Sequence, residues 1–414
     1  MVKKIMVLVL VLLLLMASAA MAAGKEGIYK TVDDMRQQLI QINDYIHDNP
    51  ELGNQEFKAV EILTRTLEDN GFKVEKGVAG LKTAFVATYI NKGGGPAIGF
   101  LAEYDALEKL GHGCGHNIIG TAAVGAGIAL AKNLGDIPAT IIVYGTPAEE
   151  TTSGKLPMVA AGLFDKLDVA LMTHPGDRTT VGAKSLALNL VDFIFEGKAS
   201  HAAAAPEKGI SALDGVMMLF NGIEYLREHV RPDVRIHGIV TDGGAAANIV
   251  PERAAARFYI RGADRDYLNT VVERVYNVAR GAALATGTKV NIKEIKAYDN
   301  KLLVDSLNQL LLENAKEAGA TQILPPPEST GSTDFGSVSY RVPAAELGIA
   351  FVPVGTPGHS QAYVQAGTSP SGHEAVIVAA KALAGAGYDL IVNPDLLKQV
   401  KDEFQAIKSG KAAK

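Results

Sequence analysis

The sequence predicts an α/β fold: a mostly parallel sheet flanked by helices, interrupted by an inserted ferredoxin-like α+β domain. Three observations carry this. Short β-rich runs alternate with helical stretches as far as Pro175, the pattern of strands joined by crossover helices. From Leu186 the order changes to β-α-β-β-α-β. The residues suited to chemistry fall just after strand ends, where sites form in parallel sheets. With 414 residues the chain is long enough for two domains. The expected division is 1–23 signal peptide, 24–185 first domain, 186–297 inserted domain and 298–414 first domain resumed.

Lys3 and Lys4 precede an apolar run from Ile5 to Met16, and Ala17-Ser18-Ala19-Ala20-Met21-Ala22-Ala23 supplies small residues. This is the pattern of a secretory signal cleaved after Ala22 or Ala23. Ile5 to Ala23 is also just long enough to span a membrane, but its end is rich in small residues, which favours cleavage. The run has no neighbouring cysteine, which excludes a bacterial lipoprotein anchor.

Val32 to Ile46 carries apolar residues at three- and four-residue spacing and predicts a helix, broken by His47-Asp48-Asn49-Pro50-Glu51. A second helix runs from about Gln55 to Asn70 and stops at Gly71. Strands follow at Thr83–Tyr89 and Ala97–Leu101, then a loop over 105–117 and a helix of small residues, Gly120–Leu134. Strand Ala139–Tyr144 leads into Gly145-Thr146-Pro147-Ala148-Glu149-Glu150; helix Leu156–Gly162 leads to strand Val169–Thr173, ending at His174-Pro175. The insertion reads as strand Leu186–Phe195, helix Ile210–Glu228, strands Val234–Thr241 and Ala254–Gly262, helix Tyr267–Ala285 and strand Lys289–Ile295. Helices at 302–318 and 371–385 complete the chain.

Apolar residues make up 48% and charged residues 21%, ordinary for a soluble globular protein. The net charge of −5 gives no basic surface for nucleic acid or anionic lipid.

Cys114 is the only cysteine and lies in Gly111-His112-Gly113-Cys114-Gly115-His116-Asn117. An exported chain with one thiol forms no internal disulfide. A thiolate two residues from an imidazole in a glycine-rich turn makes a pair of metal ligands; the alternative is a small buried core residue. Cys114, His116, Glu150, His174 and His359 all belong to ligand types for zinc-like divalent ions. Glu149 adjoins Glu150, and two buried, unpaired carboxylates side by side would be costly. A metal offsets one and leaves the other to accept a proton from an activated water.

Together these motifs resemble the M20 family of metallopeptidases and amidohydrolases. The likeness is to its cysteine-containing aminoacylase/carboxypeptidase branch, and within that to the subgroup of dipeptidases and aminobenzoyl-glutamate hydrolases. The matching runs are His47–Gly53, Glu103–Leu107, Gly111–Asn117, Gly145–Glu150, Thr173–Gly176, Lys198–Ala202, Asn248–Glu252 and Thr333–Phe335. The resemblance implies a zinc-peptidase-like catalytic domain and an inserted lid and dimerisation domain. Cys114, His116, Glu150 and His174 would be metal ligands and Glu149 the general base. His359 would be the last ligand, with His373 as competitor. Where related members often carry an aspartate-rich run, this chain has Gln361-Ala362-Tyr363.

The resemblance also implies that His201 supports the oxyanion in a neighbouring protomer's site, and that Asn248 and Arg261 hold a substrate carboxylate. A surface salt bridge is the other reading of Arg261. Asp105 is expected to orient His116. His112 is expected either to stand behind Cys114 and orient it or to be a plain loop residue. His47 is expected to pin the first helix pair, and His229 and His237 to lie at the surface. The cofactor is one or two divalent ions, zinc by ligand type, with manganese, cobalt or nickel also suited to the donors. The expected protein is a homodimer, exported, periplasmic in a Gram-negative bacterium and otherwise secreted, with no stable membrane association after cleavage. It would hydrolyse amides in dipeptides, aminobenzoyl-glutamate or N-acyl-amino acids. Two rivals are an exported non-catalytic dipeptide-binding protein and a metal-dependent deacetylase of small acylated amines.

Overall fold

A computed structural model describes residues 24–328 and 331–410, so the expected signal peptide lies outside the described residues. The chain forms two compact units. The first holds the chain to Ala183, then Leu302–Glu328 and the chain from Val338; the second holds Lys184–Lys301 with Ser329–Ser337, a short return beyond the expected 186–297.

The first unit opens with helix α1 (24–34), α2 (Arg36–Asp48) and α3 (Phe57–Asp69). Helix α3 buries Ala59, Val60, Leu63 and Leu67, one stripe at helical spacing. Leu63 and Leu67 are fully buried, each contributing roughly 1.5–3 kcal/mol. The Glu51 carboxylate accepts the Lys58 and Ala59 amides and so satisfies donors the first turn leaves open.

Strands β1 (Lys73–Lys76), β2 (Phe85–Asn91) and β3 (Ala97–Ala102) precede α4 (His116–Lys132), β4 (Ala139–Gly145), α5 (Lys155–Ala160) and β5 (Val169–Gly176). The second unit runs β6 (Ala187–Glu196), α6 (Ala212–Arg227), β7 (Arg235–Asp242), β8 (Arg253–Gly262), α7 (Arg265–Thr286) and β9 (Lys289–Tyr298). The chain ends with α8 (Asp305–Glu317), α9 (Phe335–Ser339), β10 (Ala344–Ala350), α10 (Gln361–Ala366), α11 (Pro370–Val392) and α12 (Pro394–Lys408).

The first sheet has the order β1-β2-β4-β3-β5-β10. β3 pairs in parallel with β4 and β5, and β5 with β10, while β1–β2 and β2–β4 are antiparallel. The carboxyl ends of β3, β4, β5 and β10 therefore share one edge. Helices α4 and α11 are apolar on nearly every face; they pack on one another and on this sheet. Helix α11 is long and apolar enough to cross a membrane, yet it is a buried core helix of this unit.

The second unit is an antiparallel sheet of order β7-β8-β6-β9 with two helices. Its first and third strands are central, the ferredoxin-like order. Phe193, Phe195, Val216, Leu219, Phe258, Val271 and Val275 form its core.

Several elements differ from expectation. Helix α4 starts at His116 rather than Gly120, and β5 runs through His174 rather than stopping before it. Strand β1 reads Lys-Val-Glu-Lys, a polar edge strand without an apolar run. Strand β10 is Ala- and Gly-rich and carries little β propensity; its parallel pairing with β5 holds it. Helix α11 continues past 385 to Val392, and Asn393 both ends it and caps α12, accepting the Leu396 amide.

Candidate metal and hydrolytic centre

Six residues from five segments converge at the carboxyl edge of the first sheet. Cys114 lies in the loop after β3, His116 opens α4, Glu149 and Glu150 follow β4, His174 lies near the end of β5, and His359 follows β10. Their donor atoms form three overlapping groups: Cys114, His116 and His174; Cys114, Glu150 and His359; His116, Glu149 and Glu150. Within each group the atoms lie within 4.8 Å of one another.

Local backbone explains the placement. Gly115 sits at φ 80° immediately before α4, and a side chain there would strike Pro175 Cγ at 2.5 Å. Glycine lets the chain turn sharply and present Cys114 and His116 to the same point. Ala148, fully buried, is held at φ 59° just before the glutamate pair, a conformation costing about 1–3 kcal/mol. His359 is also left-handed, at φ 53°, and its amide donates to Gly113 O at 3.0 Å, tying its loop to the cysteine loop.

Each histidine is aimed by a partner. His116 Nδ1 lies 2.9 Å from Asp105 Oδ1, so the Nδ1–H points at that carboxylate and Nε2 is the nitrogen available to a metal once its own proton is lost. Asp105 Oδ2 accepts the Glu150 amide at 3.0 Å, so one side chain fixes two members of the cluster. His174 Nδ1 contacts Pro175 O at 3.0 Å, and its Nε2 faces Cys114 Sγ at 3.5 Å. His359 Nε2 lies 3.3 Å from Glu150 Oε1.

The electrostatics are those of a site built for a cation. Burial pushes the Cys114 thiol up, but His174 and His116 outweigh it and bring it down to about 6. Burial lowers His174 and the Cys114 thiolate raises it more, to about 10. His359 rises to about 10 through contacts with Cys114 and Glu150. Burial raises the Glu150 carboxyl, but His359 and His116 together more than reverse it and hold it below the ordinary value. His116 Nε2 and Glu150 Oε1 are buried without a well-aligned hydrogen-bond partner among the described residues, a state that costs about 1–3 kcal/mol per group in a merely structural role. Thiolate, imidazole and carboxylate donors gathered within 4.8 Å, two of them buried without a well-aligned hydrogen bond, fit a divalent metal.

His373 is elsewhere: its Nε2 pairs with Asp44 Oδ1 at 2.8 Å, joining α11 to α2. His112 is buried with Nε2 against Ile46 O at 3.1 Å, and burial drops it to about 3. His47 Nε2 contacts Val364 O at 2.8 Å, tying α2 to α10 rather than to α3.

In the second unit, His201 and Asn248 are exposed and adjacent, since the Ala202 amide donates to Asn248 O at 3.0 Å. His201 Nδ1 accepts the Ala203 and Ala204 amides. Arg261 lies on β8 with its guanidinium 4.8 Å from the Tyr259 ring centre.

The sequence reading assigns no role to Glu103 or Lys155. Both are buried, Lys155 Nζ lies 2.5 Å from Glu103 Oε1, and Glu103 Oε2 is 3.4 Å from His116 Nε2. The signal is present: Glu103 follows six apolar residues with no break, and a carboxylate there must be buried.

The profile of the family described as Peptidase family M20/M25/M40 matches residues 99–385. The chain is 35% identical over 394 residues to a Xaa-Arg dipeptidase of Mus musculus, covering 90% of each chain. It is 32% identical over 460 residues to one of the subunits of p-aminobenzoyl-glutamate hydrolase of Escherichia coli (strain K12), covering 92% of this chain and 95% of that one. A solved structure described as a dinuclear metal binding peptidase from the M20 family, from Bacillus subtilis, shares the fold with a TM-score of 0.66 at 19% identity, over 87% of this chain and 99% of that one.

Proposed function

The chain belongs to peptidase family M20/M25/M40, a metal-dependent amide hydrolase, and from that premise we propose its substrate class and the role of each residue. The substrates are small amides beside a free carboxylate: dipeptides, aminobenzoyl-glutamate or N-acyl-amino acids. The observation that carries the roles is the convergence of six residues with metal-ligand side chains at one sheet edge.

Cys114, His116, Glu150, His174 and His359 would hold one or two ions, zinc by ligand type, with manganese and cobalt as the alternatives. The bound metal supplies a Lewis acid that polarises the amide carbonyl and acidifies water. Glu149, beside the ligand Glu150 on the same loop, takes the proton from the attacking water and returns it to the leaving amine. His201 stabilises the oxyanion, and Asn248 and Arg261 hold the carboxylate, Arg261 by its planar fork. Residues 1–23 direct export, to the periplasm in a Gram-negative bacterium, and the working form is a homodimer. The basic start and apolar run of residues 1–23 support the first reading, and the exposure of His201 supports the second.

The test is hydrolysis of a panel of dipeptides, their C-terminal amides, N-acetyl-amino acids and aminobenzoyl-glutamate, with zinc, manganese or cobalt and with a chelator. Chelator-sensitive release of a free amino acid, lost on Glu149→Gln with metal content retained, supports the reading. Equal turnover of dipeptide and amide removes the carboxylate-holding role and moves the assignment to a deacetylase. No turnover by folded, metal-loaded protein moves it to a binding role.

A further inference from the structure

The run His47–Gly53 and the residues following it are not used by the chemistry above, yet they touch the loops that carry it. The Ala106 amide donates to Glu51 O at 2.8 Å, holding the loop that bears Asp105. Asn54 Nδ2 donates to Thr152 Oγ1 at 2.9 Å, and Gly53 lies so close to the 145–153 loop that a Cβ would meet Thr151 Oγ1 at 2.1 Å and Ala148 Cα at 2.9 Å. Glu56 is fully buried. Its Oε1 accepts the Ala148 amide at 2.8 Å and its Oε2 accepts the Thr83 hydroxyl at 2.7 Å.

Ala148 is the residue held in the left-handed region immediately before Glu149. An alanine does not keep that conformation unaided; surrounding bonds must over-determine it. The Ser153 amide donates to Ala148 O at 2.7 Å, which fixes the carbonyl side of the turn. The Glu56 carboxylate fixes the amide side. Thr83, which orients that carboxylate, has its own carbonyl bonded by the Tyr104 hydroxyl at 2.6 Å. A buried chain of hydrogen bonds therefore ends on the amide of the left-handed residue immediately before Glu149.

We propose that Glu56 is a positioning residue for the proton-transfer step: by holding the strained Ala148 amide, it aims the Glu149 carboxylate at the attacking water without touching metal or substrate. This rests on the assignment of Glu149 as the base. Loss of the Glu56 carboxylate would let the turn relax and move the base, and an error of about 1 Å in a reacting group can lower turnover on the order of 10²-fold. Glu150, the ligand on the same loop, is fixed separately through its amide on Asp105, so metal binding and substrate affinity would stay.

The test compares Glu56→Ala, Glu56→Gln and Gly53→Ala with wild type and Glu149→Gln in the full-length mature protein loaded with zinc. The readouts are kcat and KM on the best substrate of the panel, zinc content by mass spectrometry and thermal melting. The expected result is a fall in kcat of roughly 10²-fold for Glu56→Ala with KM and zinc content within twofold. Glu56→Gln keeps an acceptor for the Ala148 amide and recovers most of the loss. Gly53→Ala, which crowds the same turn from the other side, also lowers kcat at unchanged zinc content, and decides the matter if Glu56→Ala does not fold. Wild-type kcat in Glu56→Ala, a loss accounted for by lost zinc, or wild-type kcat in Gly53→Ala overturns the proposal. Retained turnover in Glu149→Gln overturns instead the assignment of the base.

Discussion

His359 and Glu150 meet side chain to side chain, Nε2 3.3 Å from Oε1, although the whole inserted unit separates them in sequence. The contact closes the donor cluster and distinguishes His359 from His373, which is engaged with Asp44. His359→Ala is therefore expected to weaken zinc binding on the order of 10²-fold or more, a ligand counting for at least as much as the groups that orient it. His373→Ala removes only a partly exposed ion pair and should leave zinc affinity unchanged, with a stability loss under about 1 kcal/mol. Calorimetric zinc titration of both variants checks this; equal losses would refute the assignment.

Cys114 should be reactive at unusually low pH once the metal is stripped. Burial raises the thiol, but His174 and His116 more than reverse that, to about 6 from an ordinary 9.0. The iodoacetamide alkylation rate of metal-free protein should rise with a midpoint near pH 6, move up on His174→Ala, and be suppressed by zinc. The folded value is below the unfolded one, so the stabilising contribution of the thiolate is full above about pH 9 and lost as the pH falls through about 6. His174 runs the other way: its value is raised to about 10, so its contribution is full below 6.5 and lost as the pH rises through about 10. An alkylation midpoint near 9 in wild type would contradict the charge pairing.

Lys155→Met should be costly for stability rather than neutral. It leaves Glu103 buried without the ammonium 2.5 Å away, and breaking a buried pair costs roughly 3–5 kcal/mol. Adding Glu103→Gln to that variant should restore part of the loss. Urea unfolding of the metal-free proteins checks both; a shift below about 1 kcal/mol in Lys155→Met would show that the pair is solvated.

Metal and fold are linked. Zinc at a hundred times its dissociation constant should stabilise the protein by about 2.7 kcal/mol, visible as a rise in melting temperature that a chelator reverses. The rise should shrink in acid, because His116, His174 and His359 must shed protons to bind. A melting temperature indifferent to zinc would exclude a preformed site.

Much of the centre is legible in the sequence because its donors fall in short motifs at strand ends. The alternation of apolar runs places β3, β4 and β5, and parallel pairing then obliges their carboxyl ends to share an edge. Asp105 as the partner of His116 follows from its place beside the same loop. What stays hidden depends on long-range pairing. His359 follows β10, a strand of Ala and Gly that only its neighbour β5 makes a strand. Lys155 and Glu103 are far apart in sequence and meet only in the core, and nothing local in Gln55-Glu56-Phe57 announces a fully buried carboxylate. His112 is legible as a residue of the same loop, but its bond to the Ile46 carbonyl, 66 positions away, is not.

The donor set also has an order of arrival. Cys114, His116, Glu149, Glu150 and His174 are all made before the chain enters the second unit at Lys184, and His359 only after it returns at Leu302. At about 5–20 residues per second, a nascent chain spends roughly ten to forty seconds holding five donors with the sixth still unmade. The half-assembled cluster lacks the loop that the His359 amide fastens to Gly113. Two of the three donor groups, Cys114 with His116 and His174 and His116 with Glu149 and Glu150, are already complete in sequence by then; only the group of Cys114, Glu150 and His359 waits for the chain beyond the insertion.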